Sequence, residues 1–325
     1  MVLGVENAAA TPKAAPKTGS NRNPLAGLGG AVPDAPAWFE AAMAIAPERS
    51  TVDVEGAAIE LLIWGEHGRP GLLFLHGNGA NADWWDFIAP AFADDYRIAA
   101  PSWSGMGRSD WREDYDIDLH VREAIACSEA AGLFDGPARP MIVAHSFGCF
   151  PALRIAQPMG GKFAGMLIVD PPLFAEKTRA ARKPIGDVEL RSHRIYATLQ
   201  EALARFRFAP EQPCDNLYIA DHIARHSLRA VDGGFTWRFD PMHWRRRRGP
   251  SADAAFLETG APLALMLGAR STLYNSDDID HMDALCAAVG APKMIIPDAA
   301  HHVMVDQPLA FIDMVSQTLA NFRRA

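Results

Sequence analysis

Four short apolar runs constrain this chain more than any other feature: "GLLFL", "MIVAH", "GMLIVD" and "LALMLG". Each is continuous in large apolar residues, and a histidine, glycine or aspartate closes or follows it. Successive side chains of a strand point to opposite faces, so an unbroken apolar run of this length describes a strand buried on both sides. Other segments alternate with these runs. "STVDVEG" and "AAIELLIWGEHG" read as a hairpin turning at Gly56, and "ADWWDFIAPAFAD" after the first run reads as a helix. "YRIAAPSWSGMGRSD" reads as strand and loop, a helix is expected over about Leu119–Ala131, and another beyond Ser146. The order βαβαβα implies an α/β fold with a mostly parallel, doubly wound sheet and helices on both faces.

Beyond Asp170 the alternation stops. Residues 171–255 hold prolines, many arginines and two helical patterns, one placing Ile195, Leu199, Leu203 and Phe206 on a face, the other pairing Ile219 with Ile223 and stopping at Gly233–Gly234. The alternation resumes with "PLALMLG", a helix near Asp278–Val289, the strand "PKMIIPD" and a last helix from Pro308 with Ile312, Val315, Leu319 and Phe322 on one face. The expected organisation is a flexible tail over 1–36, the first part of an α/β core over 37–170, a helical insertion over 171–255 and the second part of the core over 256–325. An insertion of roughly 80 residues is too long for a bare loop.

Composition narrows the function. A net charge of −8 argues against a general nucleic-acid binder, and no apolar run approaches the ~20 residues that cross a bilayer. Cys127, Cys149, Cys214 and Cys286 show no metal-ligand spacing and are expected to be reduced and buried, as in a cytoplasmic protein. The first 36 residues, rich in Ala, Pro, Gly and Lys, lack a continuous apolar stretch and do not read as a secretory signal.

"VAHSFG" (Val143–Gly148) lies at a strand-to-helix junction and matches the nucleophile elbow G-x-S-x-G with Ala144 at the first small position. Such a turn lifts Ser146 Oγ above the sheet and aims the Phe147 N–H at a developing oxyanion. "LFLHGNGANADWW", "PSWSGMGRSD" and "DAAHHVMVDQP" follow in the order found in the α/β-hydrolase superfamily, which the chain resembles over about residues 50–170 and 256–325. The resemblance makes Asn78 the second oxyanion donor through its backbone, His76 a brace for its loop, and His301 the catalytic base, with His302 a variable neighbour. It puts Ser102 where an aspartate is common, and it makes the insertion a cap. Trp84, Trp85, Trp103 and His145 fall near the substrate pocket in this fold.

The family's acid usually follows the seventh sheet strand, where this chain has Ser271 and Thr272. Two replacements are visible. Asp170, after "GMLIV", sits where some members carry the acid beyond the sixth strand. Asp277 and Asp278 are the alternative, although Ser276 or Asp277 also suits the N-cap of the following helix.

The resemblance implies a serine hydrolase using an acyl-enzyme on a small or medium hydrophobic ester or lactone, with no cofactor and no metal. Carbon–carbon bond hydrolysis or cofactor-free lyase chemistry would use the same residues, and a ligand binder with a degraded triad is a further alternative. The run Arg245–Arg248 could bind an anionic group, but a solvated surface is the plainer reading. An exposed apolar face on the insertion would support a homodimer.

Overall fold

In the computed structural model, which describes residues 22–181, 193–244 and 252–324, the apolar runs are neighbouring strands of one eight-stranded sheet. The N-terminal helix α1 (Ala37–Met43) precedes β1 (Glu48–Val54) and β2 (Ala57–Trp64), whose hairpin turns through Glu55 and Gly56, both at positive φ. Next come β3 (Gly71–Leu75), β4 (Arg97–Pro101), helix α2 (Ile117–Ala130), β5 (Met141–His145), α3 (Cys149–Met159) and β6 (Gly165–Val169). The insertion holds α4 (Glu176–Ala181), α5 (Leu199–Leu203), α6 (Leu217–His226), a separate hairpin of β7 (Leu228–Val231) with β8 (Gly234–Trp237), and α7 (Ala252–Leu257). The sheet is completed by β9 (Leu263–Gly268), α8 (Ser276–Val289), β10 (Lys293–Ile296), the short α9 (Val303–Asp306) and α10 (Pro308–Arg324).

Strand order is β1-β2-β4-β3-β5-β6-β9-β10; β2 runs antiparallel to both neighbours and the remaining pairs are parallel. The order reverses between β3 and β5, and in open α/β sheets such a reversal leaves a crevice at the carboxyl ends of the strands. Each central strand feeds two cores. Leu72 and Phe74 pack with α1 and α10 on one face, while Leu73 and Leu75 pack with α2, α3 and α8 on the other. That explains why the runs are continuous rather than alternating.

Local chemistry fixes the helix ends. Asp116 caps α2 by accepting from Leu119 N at 2.6 Å, and Asn275 and Asp278 form a reciprocal capping box at α8, which ends on left-handed Gly290. The N-cap is therefore Asn275, not Ser276 or Asp277.

Three expectations are corrected. "ADWWDFIAPAFAD" is not an α-helix but two 3₁₀ turns, Ala82–Trp85 and Ala89–Phe92, the first capped by Asn81 and the second carrying Pro90 in its opening positions. The pattern from Ile195 to Phe206 is helical only over Leu199–Leu203, because Thr198 caps it through Glu201 N; Tyr196, just before, instead pairs with Phe235 beside the hairpin. The glycines Gly233–Gly234 do not end α6; they turn the β7–β8 hairpin, and a Cβ on Gly234 would sit 1.9 Å from the Tyr196 carbonyl.

Part of the expected tail is docked. Leu25 is buried, Asn23 Nδ2 donates to the Phe206 carbonyl at 3.2 Å, and Arg225 donates to the Gly30 carbonyl at 2.9 Å. Residues 1–21 lie outside the described residues, as do Arg245–Arg248. Among the described residues no helix is long and apolar enough to cross a membrane, and all four cysteines are free.

Phe311 of α10 is fully buried and stacks on Trp85 with ring centroids 6.4 Å apart. Phe311→Ala should lower the unfolding free energy by about 3–5 kcal/mol, measured by urea titration, because the sheet face beneath it cannot collapse into the space.

Candidate active site

Strand register assembles the site. His145 ends β5 opposite Val169, the end of β6, so Ser146 and Asp170 are the next residues of adjacent strands. Leu75 pairs with Ala144 on the other side, which brings His76 and Gly77 alongside the elbow. The loop after β10 supplies His301.

The elbow is tight. Ser146 lies at φ 52°, a left-handed conformation that L residues adopt only under constraint. A Cβ on Gly148 would come within 2.7 Å of the carbonyl oxygens of Leu75 and His76, so only glycine lets the following helix pack this close. Ala144, at the other small position, fits because its methyl group packs into the core.

His301 Nε2 stands 2.9 Å from Ser146 Oγ, and its Nδ1 stands 3.4 Å from Asp170 Oδ2. Ser146 is half-buried, whereas His301 and Asp170 are buried. The tautomer with its proton on Nδ1 turns that proton toward the carboxylate and leaves the Nε2 lone pair facing Ser146 Oγ. Burial holds His301 down to about 3 and pushes Asp170 up to about 7. Ser271 and Tyr274 face Asp170 and oppose that rise, although Asp170 Oδ1 lacks a partner at full hydrogen-bonding geometry. The loop position that offers no charge of its own thus lies against the carboxylate that does. Asp170 is also left-handed, at φ 44°, and Tyr274 OH donates to the next carbonyl, that of Pro171, at 2.7 Å.

Asp277 and Asp278 are not brought to His301. Both Asp278 oxygens are engaged, by Ala175 N at 3.0 Å and Asn275 N at 3.1 Å, and Asp277 pairs with Lys177 at the surface.

The remaining candidates divide. His76 braces its loop, donating from Nδ1 to the Gly77 carbonyl at 2.7 Å and accepting from Trp103 N at 3.1 Å. Trp103 is fully buried, its indole N–H donating to the His76 carbonyl at 3.0 Å, and Trp85 is packed between Phe74 and Phe311. Neither lines the cavity, since both are held on the core side of their loops. His145 does not line it either; its Nε2–H donates to the His301 carbonyl at 3.0 Å, and burial keeps the ring near 3 and neutral. Trp84 and Asn78 do line a cavity of about 490 Å³, roofed by Tyr196, Phe206, Phe208 and Trp237 of the insertion. Asn78 and Gly79 of the loop after β3 are in its lining; Ser146, Phe147 and His301 are not.

Ser102, in the place of an aspartate, accepts from Ala82 N at 2.9 Å and donates to the buried Glu60 at 2.7 Å, so it anchors the loop that carries Trp84. Sequence reasoning missed Gln212. Its side chain accepts from His302 N and donates to Asp306, which in turn accepts from Ala300 N at 2.7 Å, fixing both flanks of His301. Nothing in the sequence marks a glutamine in an irregular segment for that role.

The sequence profile of the alpha/beta hydrolase family matches residues 72–314, well over half the chain. The chain belongs to the alpha/beta hydrolase family. Among this hydrolase's relatives, Esterase Rv0045c of Mycobacterium tuberculosis is 26% identical over 273 residues, 82% of this chain and 88% of that protein. Lipase LipV of the same organism is 26% identical over 251 residues, 75% of this chain and 91% of that one. Among solved structures, the thioesterase domain from the curacin biosynthetic pathway has a TM-score of 0.69 at 21% identity, covering 83% of this chain and 99% of that domain.

Burial of Asp170 carries a stability cost with a definite sign. Its pKa is raised from 3.8 to about 7 on folding, so its favourable contribution is complete below pH 3.8 and is lost as pH rises through 7. Asp170→Asn should therefore melt several degrees above the wild type at pH 8, and the gap should close as pH falls from 7 to 4. Paired thermal melts across that range check it.

Proposed function

We propose that this hydrolase cleaves a small or medium hydrophobic carboxylic ester or lactone through an acyl-enzyme. The observation that carries the reading is the 2.9 Å contact between His301 Nε2 and the Oγ of a left-handed Ser146. Ser146 attacks the carbonyl while His301 takes its proton, then returns it to the leaving alcohol; water repeats the sequence to release the acid. Asp170 holds the His301 tautomer and stabilises the imidazolium. The backbone N–H groups of Asn78 and Phe147 receive the oxyanion, at about 3–4 kcal/mol for each donor.

The aromatic insertion acts as a cap. Its cavity has room for a medium-sized acyl or alcohol group, and its walls favour an apolar one. The esterase and lipase names of the two mycobacterial relatives support ester cleavage. Carbon–carbon bond cleavage of a diketone would employ the same serine and histidine, and a panel of nitrophenyl esters, lactones and diketones separates the substrates.

Hydrolysis of nitrophenyl butyrate should vanish in Ser146→Ala. It should fall by about 10⁴-fold in Asp170→Asn, a variant that keeps the shape but not the charge. Retained activity in the folded Asp170→Asn variant would remove Asp170 from the mechanism. Because the Asp170–His301 pair takes up one proton near pH 7, wild-type kcat/KM should rise with pH through about 7. A flat profile from pH 5 to 8 would mean that the acid is ionised throughout. An unreactive Ser146 toward a fluorophosphonate would favour a binding protein over an enzyme.

A further inference from the structure

A second group of titratable side chains lies away from Ser146, where α6 of the insertion meets the loop after β3. His222 and His226 are one helical turn apart, so both imidazoles project from one face of α6, with ring centroids 4.2 Å apart. That face is turned toward Asp86, whose Oδ2 lies 3.3 Å from His222 Nε2. The donor atoms of Asp86, His222 and His226 lie within 4.8 Å of one another.

Three details separate this group from an ordinary buried polar cluster. Asp86 is 6% exposed, and its Oδ1 has no hydrogen-bond partner, a costly state for a carboxylate oxygen. His226 donates from Nδ1 to the His222 carbonyl at 2.8 Å, which fixes the tautomer and leaves Nε2 as the lone-pair nitrogen. A backbone bond of this kind is what orients metal-ligating histidines. Finally, His226 is only half-buried, which gives an ion a route in.

We propose that Asp86, His222 and His226 form a binding site for a divalent transition metal, with Zn²⁺ as the best match, that ties the insertion to the core. Two imidazoles and one carboxylate suit a borderline ion rather than Mg²⁺ or Ca²⁺, which prefer oxygen ligands alone. Two ligands held at ~2.0–2.1 Å on a tetrahedral ion stand ~3.4 Å apart, close to the separation already present between Asp86 and His222. Water completes the fourth position. The ion replaces the His222 Nε2 proton that now faces the Asp83 carbonyl at 3.1 Å, and that proton moves to Nδ1. The clip joins α6 to the turn carrying Trp84, so it stiffens one wall of the cavity without touching Ser146. The other group of three possible ligands among the described residues, His145, His301 and His302, contains the proposed catalytic base and serves as the competing location.

The test uses the full chain and metal ions alone. Co²⁺ titration should produce the visible absorption of a four-coordinate site, saturating at one equivalent and bleached by Zn²⁺. Saturating Zn²⁺ should raise the melting temperature, by about 4 °C at a hundredfold excess over Kd. His226→Gln should lose both effects. Asp86→Asn, which preserves shape, repeats the test should that variant fold poorly, and His302→Gln should keep both effects. No cobalt band in the wild type, or a band that survives His226→Gln and Asp86→Asn but disappears in His302→Gln, overturns the proposal. None of these readouts depends on the hydrolytic activity.

Discussion

The site depends on one backbone constraint, the left-handed turn at Ser146. A non-glycine residue held there costs of the order of 1–3 kcal/mol, and the turn persists only because its surroundings determine it on both sides. Before it, β5 is locked between β3 and β6 by parallel ladders. After it, Gly148 brings α3 against the carbonyls of Leu75 and His76 with no space for a Cβ. The Cys149 thiol, donating to the Ala144 carbonyl at 3.2 Å, closes the turn on itself. The same packing that strains Ser146 puts the His76–Gly77 backbone beside it, so the proposed nucleophile and the proposed oxyanion loop are positioned by a single set of contacts.

A second strained residue follows from the first. Asp170 leaves β6 at the level where Ser146 leaves β5, and it too is left-handed. A carboxylate here reaches His301 from the neighbouring strand, so the loop after β9 need not carry charge. That loop has become support. Ser271 and Tyr274 face Asp170, and Tyr274 also holds the Pro171 carbonyl. Asp170 is a carboxylate buried deeply enough for its pKa to rise to about 7, a stability deficit above that pH.

Much of this was legible in the sequence because it is local or periodic. Continuous apolar runs reveal a sheet covered on both faces, and small-x-Ser-x-Gly at a strand end reveals the elbow. Asp170 stood out as a candidate because it follows a recognisable strand at a position where some members of the resembled superfamily carry an acid. The insertion was less legible. The spacing of Ile195, Leu199, Leu203 and Phe206 fits a helix, yet Thr198 caps the chain in the middle of it. The hairpin of β7 and β8 is only four residues a side and too short for a clear alternation. Trp85 and Trp103 were assigned to the pocket because both lie on loops above the sheet. Which side of a loop a side chain faces is decided by partners distant in sequence: Phe311 for Trp85, and the His76 carbonyl for Trp103.

Those distant partners also give the insertion more than a roofing role. Gln212 holds His302 and Asp306, and Asn216 Nδ2 donates to the carbonyls of Val305 and Asp306 at 2.8 and 3.1 Å. The histidine loop is therefore pinned from the insertion side, while His145 pins the His301 carbonyl from the sheet side. A movement that lifted the insertion as one body would break the first set of bonds and free the loop carrying His301. Phe208 of the aromatic roof also packs on His302, with ring centroids 5.2 Å apart, so the roof and the histidine loop share contacts.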